Sequence, residues 1–241
     1  MNQMLTAIRL IGIMFNVGFP SSGEWQLPIG GSLGFPSAEM FIFKSPAHAR
    51  ATSRPRSLHA HRIVCVGDSI TEGFANPNNW PHQLKTRLDG DWEVVNRGVG
   101  GDKTADMLAR INDALYLEPH FVIIMGGTND LASGEVALTT TQANIRAMCD
   151  RVESHGAVPV LCTVPPTKFH LARQDTLNGW ITEYAHLKGY PLIDFYAVID
   201  DPSHPGYSNP TLVMSDGVHP NAVGYTAMGN AIDLTVFTKR S

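Results

Sequence analysis

The sequence predicts an α/β protein in which a doubly wound, five-stranded parallel sheet lies between two helical layers, giving three layers in all. Five short runs of apolar, largely β-branched residues alternate with stretches of helical periodicity. Each run is apolar at successive positions, which is typical of a strand buried on both faces. Strands that alternate with helices form parallel sheets with right-handed crossovers. The predicted strands are residues 62–66, 92–96, 121–125, 158–164 and 191–195.

Between these runs, apolar residues recur at helical spacing, and proline or glycine marks several of the helix ends. Pro81 suits the first turn of a helix, while Gly156 and Gly189 suit positions just past a helix end. The five predicted stripes are Trp80/Leu84/Leu88, Met107/Leu108/Ile111/Leu115, Ile145/Met148/Cys149/Val152, Leu177/Ile181/Tyr184 and Tyr225/Met228/Ile232/Val236.

Residues 1–60 differ from the rest of the chain, and we predict that they form an N-terminal extension to a domain at 61–241. The extension is rich in Gly, Pro and Ser and carries five Lys or Arg against two Glu. Such a composition buries little apolar surface by itself, so a disordered leader is one interpretation. Its aromatic and aliphatic residues favour an arm that packs on the domain or forms a homo-oligomer.

Charge and hydropathy exclude several classes of partner. The 241 residues carry a net charge of −4 and show no basic face, which argues against a nucleic-acid partner. No apolar run has the length of a bilayer span, so no membrane partner is expected. The apolar stretch "IRLIGIMFNVGF" has no Lys or Arg before it and no small-residue cleavage site directly after it, which argues against a secretory signal.

The three cysteines favour a reducing, cytoplasmic location. Cys65 and Cys162 lie in apolar strand-like runs and Cys149 in a helical pattern, so all three are predicted to be buried thiols. No cluster of His, Cys and Asp has the spacing of metal ligands, so we expect neither a metal nor an organic cofactor.

Four of the five predicted strands lead into clusters of Gly, Asn, Asp, Ser or His. The clusters read "GDSIT" after the first strand, "NRGVGGD" after the second, "GGTND" after the third and "SDGVHPN" beyond the fifth. Turns use the same residue types. However, the carboxyl ends of parallel strands lie at one edge of the sheet, where α/β proteins bind their ligands. We therefore expect the four clusters to converge.

The clusters contain the groups that ester hydrolysis needs: a nucleophile on a rigid turn, a base in hydrogen-bond reach and a group that orients the base. Ser69 follows the first strand at a predicted helix start. Asp216 and His219 are three residues apart, so the carboxylate can reach one imidazole nitrogen while the other faces Ser69. The backbone N–H of Ser69, a glycine N–H in "GVGGD" and the Asn129 amide are candidate donors to an oxyanion.

Each of these residues also has a purely structural interpretation. Ser69 is a common type of helix cap, Asn129 is a common turn residue, and His219 could be an ordinary loop histidine. The glycine-rich loop could cradle a phosphate, although it lacks the following lysine and the GxGxxG spacing.

Taken in order, "GDSITEG", "NRGVGGD", "GGTND" and "DGVHPN" resemble the four consensus blocks of the GDSL, or SGNH, hydrolase family, from Arg62 to the C-terminus. The resemblance implies a flavodoxin-like fold, with Ser69 as nucleophile, His219 as base and Asp216 as its orienting group. It also implies an oxyanion hole formed by the Ser69 N–H, the Gly101 N–H and the Asn129 amide, with Gly98 as the second choice for the glycine. Asp68 is assigned to supporting the turn.

We therefore expect a serine esterase that acts on a small-molecule ester of a short acyl group, with acetyl favoured over longer acyl chains. Alternatives on the same residues are an acyltransferase, a lysophospholipase or thioesterase, and a non-catalytic carbohydrate-binding protein. Aromatic residues of the flanking loops, either packed or bounding a pocket, are Phe169, Phe195, Tyr196 and Tyr207.

Overall fold

A computed structural model describes residues 61–169 and 173–237, so the expectation for the extension at 1–60 lies outside the described residues. The main sheet contains β1 (His61–Gly67), β2 (Trp92–Gly98), β3 (Phe121–Met125), β4 (Val158–Cys162) and β5 (Leu192–Ile193). All of its neighbouring strands are parallel, in the order β2-β1-β3-β4-β5. The predicted sheet is confirmed.

Helices connect these strands and cover both faces of the sheet. They are α1 (Ser69–Glu72), α2 (Trp80–Arg87), α3 (Thr104–Ala109), α4 (Ile111–Leu115), α5 (Thr128–Ser133), α6 (Leu138–Ser154), α7 (Gln174–Lys188), α8 (Phe195–Ile199), α9 (Ala222–Ala231) and a 3₁₀ turn at Leu234–Val236.

Successive residues of β1 face opposite sides of the sheet, and both sides are apolar. Val64 and Val66 pack in one buried cluster with residues of α3, α4, α6 and α7. Ile63 and Cys65 pack in another with residues of α2, α8 and α9. Burial of one such aliphatic side chain stabilises the fold by about 1.5–3 kcal/mol. The two clusters confirm the predicted three layers.

Strand register places the carboxyl ends of the first three strands side by side. Gly67 pairs with Gly98 at the end of β2 and with Met125 at the end of β3. A side chain at Gly98 would overlap the backbone of Glu72, so glycine is needed where α1 passes the end of β2. The expected convergence of the polar clusters follows from this register.

Four predicted elements are shorter than the sequence indicated, and one of them is the strand predicted at 191–195, which spans only Leu192–Ile193. The stripe at 107–115 forms two helices that break at Arg110. After β4, the Asn178 side chain pairs with both the N–H and the carbonyl of Val164, in place of a strand neighbour. The last helix ends at Ala231, and the carboxylate of Asp233 caps the 3₁₀ turn that follows.

An antiparallel hairpin, β6 (Asp200–Asp201) and β7 (His204–Ser208), lies in a segment that the sequence analysis treated as a loop. Its strands are too short and too polar to show a periodic signal. The hairpin borders the site described below.

Two further predictions concern the described residues. Cys65, Cys149 and Cys162 are buried free thiols, as predicted. Over 61–169 and 173–237, no helix is both long and apolar enough to cross a membrane.

Candidate active site

Ser69 is the first residue of α1, directly beyond the end of β1. The helix cap is its neighbour Asp68, whose Oδ1 accepts the N–H of Ile70 at 3.0 Å. This is the supporting role that the sequence analysis gave to Asp68, and it means that Ser69 itself is not the cap. The Ser69 hydroxyl is therefore not needed to start the helix.

A continuous hydrogen-bonded chain joins Ser69, His219 and Asp216. The Ser69 Oγ lies 2.8 Å from Nε2 of His219, across a separation of 150 residues in the chain. The other ring nitrogen, Nδ1, lies 2.8 Å from Oδ2 of Asp216. The structure thus brings together the three residues that the sequence analysis proposed as nucleophile, base and orienting group.

The second oxygen of Asp216 shapes the turn that presents His219. Oδ1 accepts the backbone N–H of Val218 at 2.8 Å and that of His219 at 3.0 Å. Partial burial raises the pKa of Asp216, but these hydrogen bonds and the one from the His219 ring outweigh it, so the pKa lies below its ordinary value. The carboxyl is therefore ionised at neutral pH.

Gly217 lies at the centre of this turn. Two residues of neighbouring segments, Lys168 and Ser208, donate hydrogen bonds to its carbonyl. The Gly217 carbonyl accepts the N–H of Lys168 at 2.8 Å and the hydroxyl of Ser208, in β7, at 2.9 Å. The Lys168 Nζ donates to the carbonyl of Ser215 at 3.1 Å. The hairpin and the segment after β4 thus fix the turn from outside. The sequence analysis missed both partners.

Gly101 lies in the exposed loop after β2, in a turn closed by the Asp102 N–H donating to the Val99 carbonyl at 3.2 Å. Its φ of +84° is in the left-handed region that favours glycine. Asn129, in the first turn of α5, donates through Nδ2 to the Asp102 carbonyl at 2.9 Å. The side-chain amide of Asn129 therefore lies against the loop that contains Gly101.

The same loop passes beside Ser69. A Cβ built on Gly100 would lie 3.8 Å from the Cβ of Ser69. The backbone N–H of Gly98 donates to Oδ1 of Asn96 at 2.8 Å and is already paired.

Arg110 ties the carboxyl ends of β1 and β2 to the loop that follows β2, a role that the sequence does not suggest. Its guanidinium donates to Oδ2 of Asp102 at 2.6 Å, to the carbonyl of Arg97 at 2.7 Å and to that of Gly67 at 2.9 Å. A planar guanidinium is suited to bonding several acceptors at once. The break between α3 and α4 lies at this residue.

Asp130 anchors α5 from the buried side. Its carboxylate accepts the N–H of Thr104 at 2.9 Å, the hydroxyl of Thr104 at 2.6 Å and the hydroxyl of Thr141 at 3.1 Å. Asp130 is 1% exposed, so these bonds are shielded from water. They hold the neighbouring Asn129 in place from α3 and α6.

An aromatic ring also lies over the base. The Phe74 ring stacks on the His219 ring with centroids 3.8 Å apart and planes inclined by 12°.

Over the described ranges, no group of three or more His, Cys, Asp or Glu residues is arranged to hold a metal ion.

Asp68 couples the stability of this site to pH. Burial, and to a lesser degree the nearby carboxylates of Asp102 and Asp130, raise the pKa of Asp68 to about 7, against the Ile70 hydrogen bond. Its Oδ2 has no hydrogen-bond partner among the described residues. The folded protein therefore keeps this proton up to about pH 7, whereas the unfolded chain loses it near pH 4.

We expect Asp68→Asn to flatten the pH dependence of unfolding. Between pH 4 and 7 the folded state binds more protons, so stability falls as pH rises, by about 2–3 kcal/mol from pH 5 to 8 for this group. Asn keeps the oxygen that caps Ile70 but does not titrate. Urea unfolding of both proteins at pH 5 and 8 measures the difference, and an equal loss in both would contradict the assignment.

A model described as the GDSL-like lipase/acylhydrolase family matches residues 65–227, which is more than half of the chain. The chain is 25% identical over 170 residues to thioesterase 1/protease 1/lysophospholipase L1 of Escherichia coli, a match that covers 69% of this chain and 78% of that protein.

Two further similarities cover different lengths. The chain is 31% identical over 117 residues to the uncharacterized lipoprotein YqeF of Bacillus subtilis, covering 43% of this chain and 48%, or about half, of the lipoprotein. Among solved structures, a GDSL-like lipase from Bacteroides thetaiotaomicron is 28% identical with a TM-score of 0.64, covering 73% of this chain and 88% of the lipase.

Proposed function

Because the chain belongs to the GDSL-like lipase/acylhydrolase family, we propose that it is a serine esterase that hydrolyses carboxylic esters of short acyl groups, with acetyl favoured. The observation that carries the proposal is the hydrogen-bonded chain from Ser69 through His219 to Asp216, with 2.8 Å at each of its two contacts. A nucleophile, its base and an orienting acid in this order are what acyl transfer requires.

The reaction proceeds through an acyl-enzyme. His219 accepts the Ser69 proton at Nε2 while the Ser69 Oγ bonds to the ester carbonyl carbon, and Asp216 stabilises the imidazolium that results. Collapse of the tetrahedral intermediate breaks the bond to the leaving alcohol, which takes the proton from His219. Water then repeats the sequence on the acyl group and regenerates Ser69.

The oxyanion is held by the N–H groups of Ser69 and Gly101 and by the Asn129 amide. Gly101 is favoured over Gly98, because the Gly98 N–H already donates to Asn96. Asn129 uses one amide hydrogen on the Asp102 carbonyl, and its second hydrogen serves the oxyanion. Donors fixed before the substrate arrives are the effective ones, since they need no reorganisation during the reaction.

A second candidate substrate class is an ester or thioester of a longer acyl chain. Exposed apolar side chains lie on the segments that border the triad: Phe74 after α1, Val99 after β2, Phe169 after β4 and Tyr207 in β7. Of the aromatic residues expected to flank the site, Phe195 is fully buried and serves as packing. The name of the Escherichia coli relative, which includes thioesterase and lysophospholipase, favours the same alternative.

An ester panel decides between the two classes. We expect kcat/KM to be highest for p-nitrophenyl acetate and acetylated sugars, and to fall from acetyl through butanoyl and octanoyl to dodecanoyl esters. Higher values for dodecanoyl esters, acyl thioesters or lysophosphatidylcholine would contradict the acetyl preference and support the longer-chain class. Ser69→Ala in every assay gives the background, and an added alcohol reveals any acyl transfer.

The cytoplasmic location stays a prediction. Because the Bacillus subtilis relative is named as a lipoprotein, the location is checked directly by fractionating cells that express the protein. A homo-oligomer formed through residues 1–60 also stays a prediction.

A further inference from the structure

Phe74 covers one face of the His219 ring, although none of the four sequence motifs contains it. The two ring centroids lie 3.8 Å apart, and the planes are inclined by only 12°. Phe74 is 44% exposed, so its ring lies at the surface of the protein and not in a buried core. The stacking of Phe74 on His219 therefore lies outside the buried core.

The backbone at this position is unfavourable for a bulky residue. Phe74 has a φ of +23° and Ala75 a φ of +58°, both in the region that favours glycine. The loop is nonetheless closed by an Asn76 N–H that donates to the Gly73 carbonyl at 2.8 Å. Costly backbone conformations of this kind persist where the surroundings enforce them, and they cluster at functional sites.

Two hydrogen bonds hold the edges of the His219 ring, and Phe74 supplies a contact on its face. The bonds to Ser69 and Asp216 fix the two nitrogens but leave the ring able to tilt about the line that joins them. A flat ring lying 3.8 Å away restricts that tilt. Phe74 therefore helps to keep Nε2 directed at the Ser69 hydroxyl.

The stacking geometry suits a charged imidazole better than a neutral one. Two neutral aromatic rings prefer an offset or edge-to-face arrangement with centroids about 4.5–7 Å apart. A cation is instead attracted to the face of the ring. In the proposed reaction His219 takes the Ser69 proton and carries a positive charge in the transition state, where the contact is therefore strongest. Interactions that are stronger in the transition state than in the ground state are those that accelerate the chemical step.

We propose that Phe74 is a positioning residue that acts through His219: the electron-rich face of its ring stabilises the imidazolium formed during acyl transfer and holds it in place. The proton moves from the Ser69 Oγ to Nε2, the Oγ–carbonyl bond forms, and Phe74 takes part only through the electron density of its ring. This inference rests on the proposed function, because it requires His219 as the base.

Fluorinated phenylalanines at position 74 test the inference in the full-length protein. Mono-, di- and trifluorinated side chains withdraw electron density from the ring face in steps and change its size little. We expect kcat for p-nitrophenyl acetate to fall stepwise, by about 3- to 20-fold in total. KM should change by less than about twofold, because the ring acts on the base. Phe74→Leu, which keeps an apolar cover without a π face, should lose about as much as the trifluorinated protein.

The matched control is Tyr116, an exposed aromatic residue at the end of α4, where the same fluorinated residues should leave kcat unchanged. A constant kcat across the series at position 74 overturns the inference, and so does a change confined to KM. Loss of activity in Phe74→Leu alone also overturns it, since the ring would then be only a spacer. In each case the activity of Ser69→Ala tests the proposed function separately. An inactive Ser69→Ala protein supports the proposed function, whereas an active one contradicts it.

Discussion

Replacement of Ser69 by alanine is expected to lower kcat for ester hydrolysis by about 10⁴- to 10⁶-fold. The Ser69 Oγ is the atom that His219 Nε2 contacts at 2.8 Å, and alanine leaves no group there to form the acyl-enzyme. The loss should appear in kcat, because the proposed oxyanion donors and the substrate contacts are unchanged by the substitution. Residual turnover would come from water attacking the bound ester directly.

Folding and reaction can be separated in this experiment. The Ser69 side chain does not cap α1, since Asp68 does, so Ser69→Ala should unfold at nearly the wild-type temperature. Ser154→Ala is a matched control at the far end of α6, where the hydroxyl donates only to the Arg151 carbonyl at 2.8 Å. We expect it to change kcat by less than about twofold. If folded Ser69→Ala hydrolyses p-nitrophenyl acetate at the wild-type rate, Ser69 is not the nucleophile.

Asp216→Asn is expected to lower kcat by about 10⁴-fold, although it changes the side chain by a single atom. Oδ1 of Asp216 accepts two backbone N–H groups, those of Val218 and His219. An amide at this position must therefore keep its oxygen towards the backbone and turn its NH₂ towards Nδ1 of His219. Nδ1 then has to accept a hydrogen bond, and the ring proton moves to Nε2, which can no longer take the proton of Ser69.

The comparison with two other variants isolates this effect. Asp233→Asn is the matched control: Asp233 also accepts a backbone N–H, that of Thr235, but in the 3₁₀ turn at 234–236. It should leave kcat within about twofold of the wild type. Asp216→Ala imposes no tautomer but also removes the oxygen that shapes the turn, so its loss of kcat combines both changes. An Asp216→Asn protein that keeps a tenth or more of the wild-type kcat would rule out the tautomer argument.

The sheet and the residues of the triad could be predicted from local sequence. Parallel strands buried on both faces are apolar at successive positions, as in 121–125, and such a pattern does not depend on the rest of the chain. The spacing of three residues between Asp216 and His219 can likewise be recognised without knowledge of the rest of the chain. Because the carboxyl ends of parallel strands lie at one edge of the sheet, the positions of the strand ends in the sequence predict that Ser69 and His219 lie close together.

The contacts that orient the triad could not be predicted in this way. Arg110 lies in a helical pattern, and nothing in its neighbours indicates that it breaks the helix to reach the carbonyls of Gly67 and Arg97. Phe74 was invisible because its contact depends on a backbone conformation that bulky residues rarely adopt. Lys168 holds Gly217 through its backbone N–H, which any residue other than proline supplies. Long-range contacts of these kinds leave no periodic signal in the sequence.

The Arg110 contacts determine which of the neighbouring side chains can be substituted without loss of a hydrogen bond. Two of the three acceptors are backbone carbonyls, and only Asp102 contributes a side chain. The side chain at position 97 can consequently change without loosening the link between the loop of the nucleophile and the loop of Gly101. Among the three acceptors, only a substitution of Asp102 would remove an acceptor atom of Arg110.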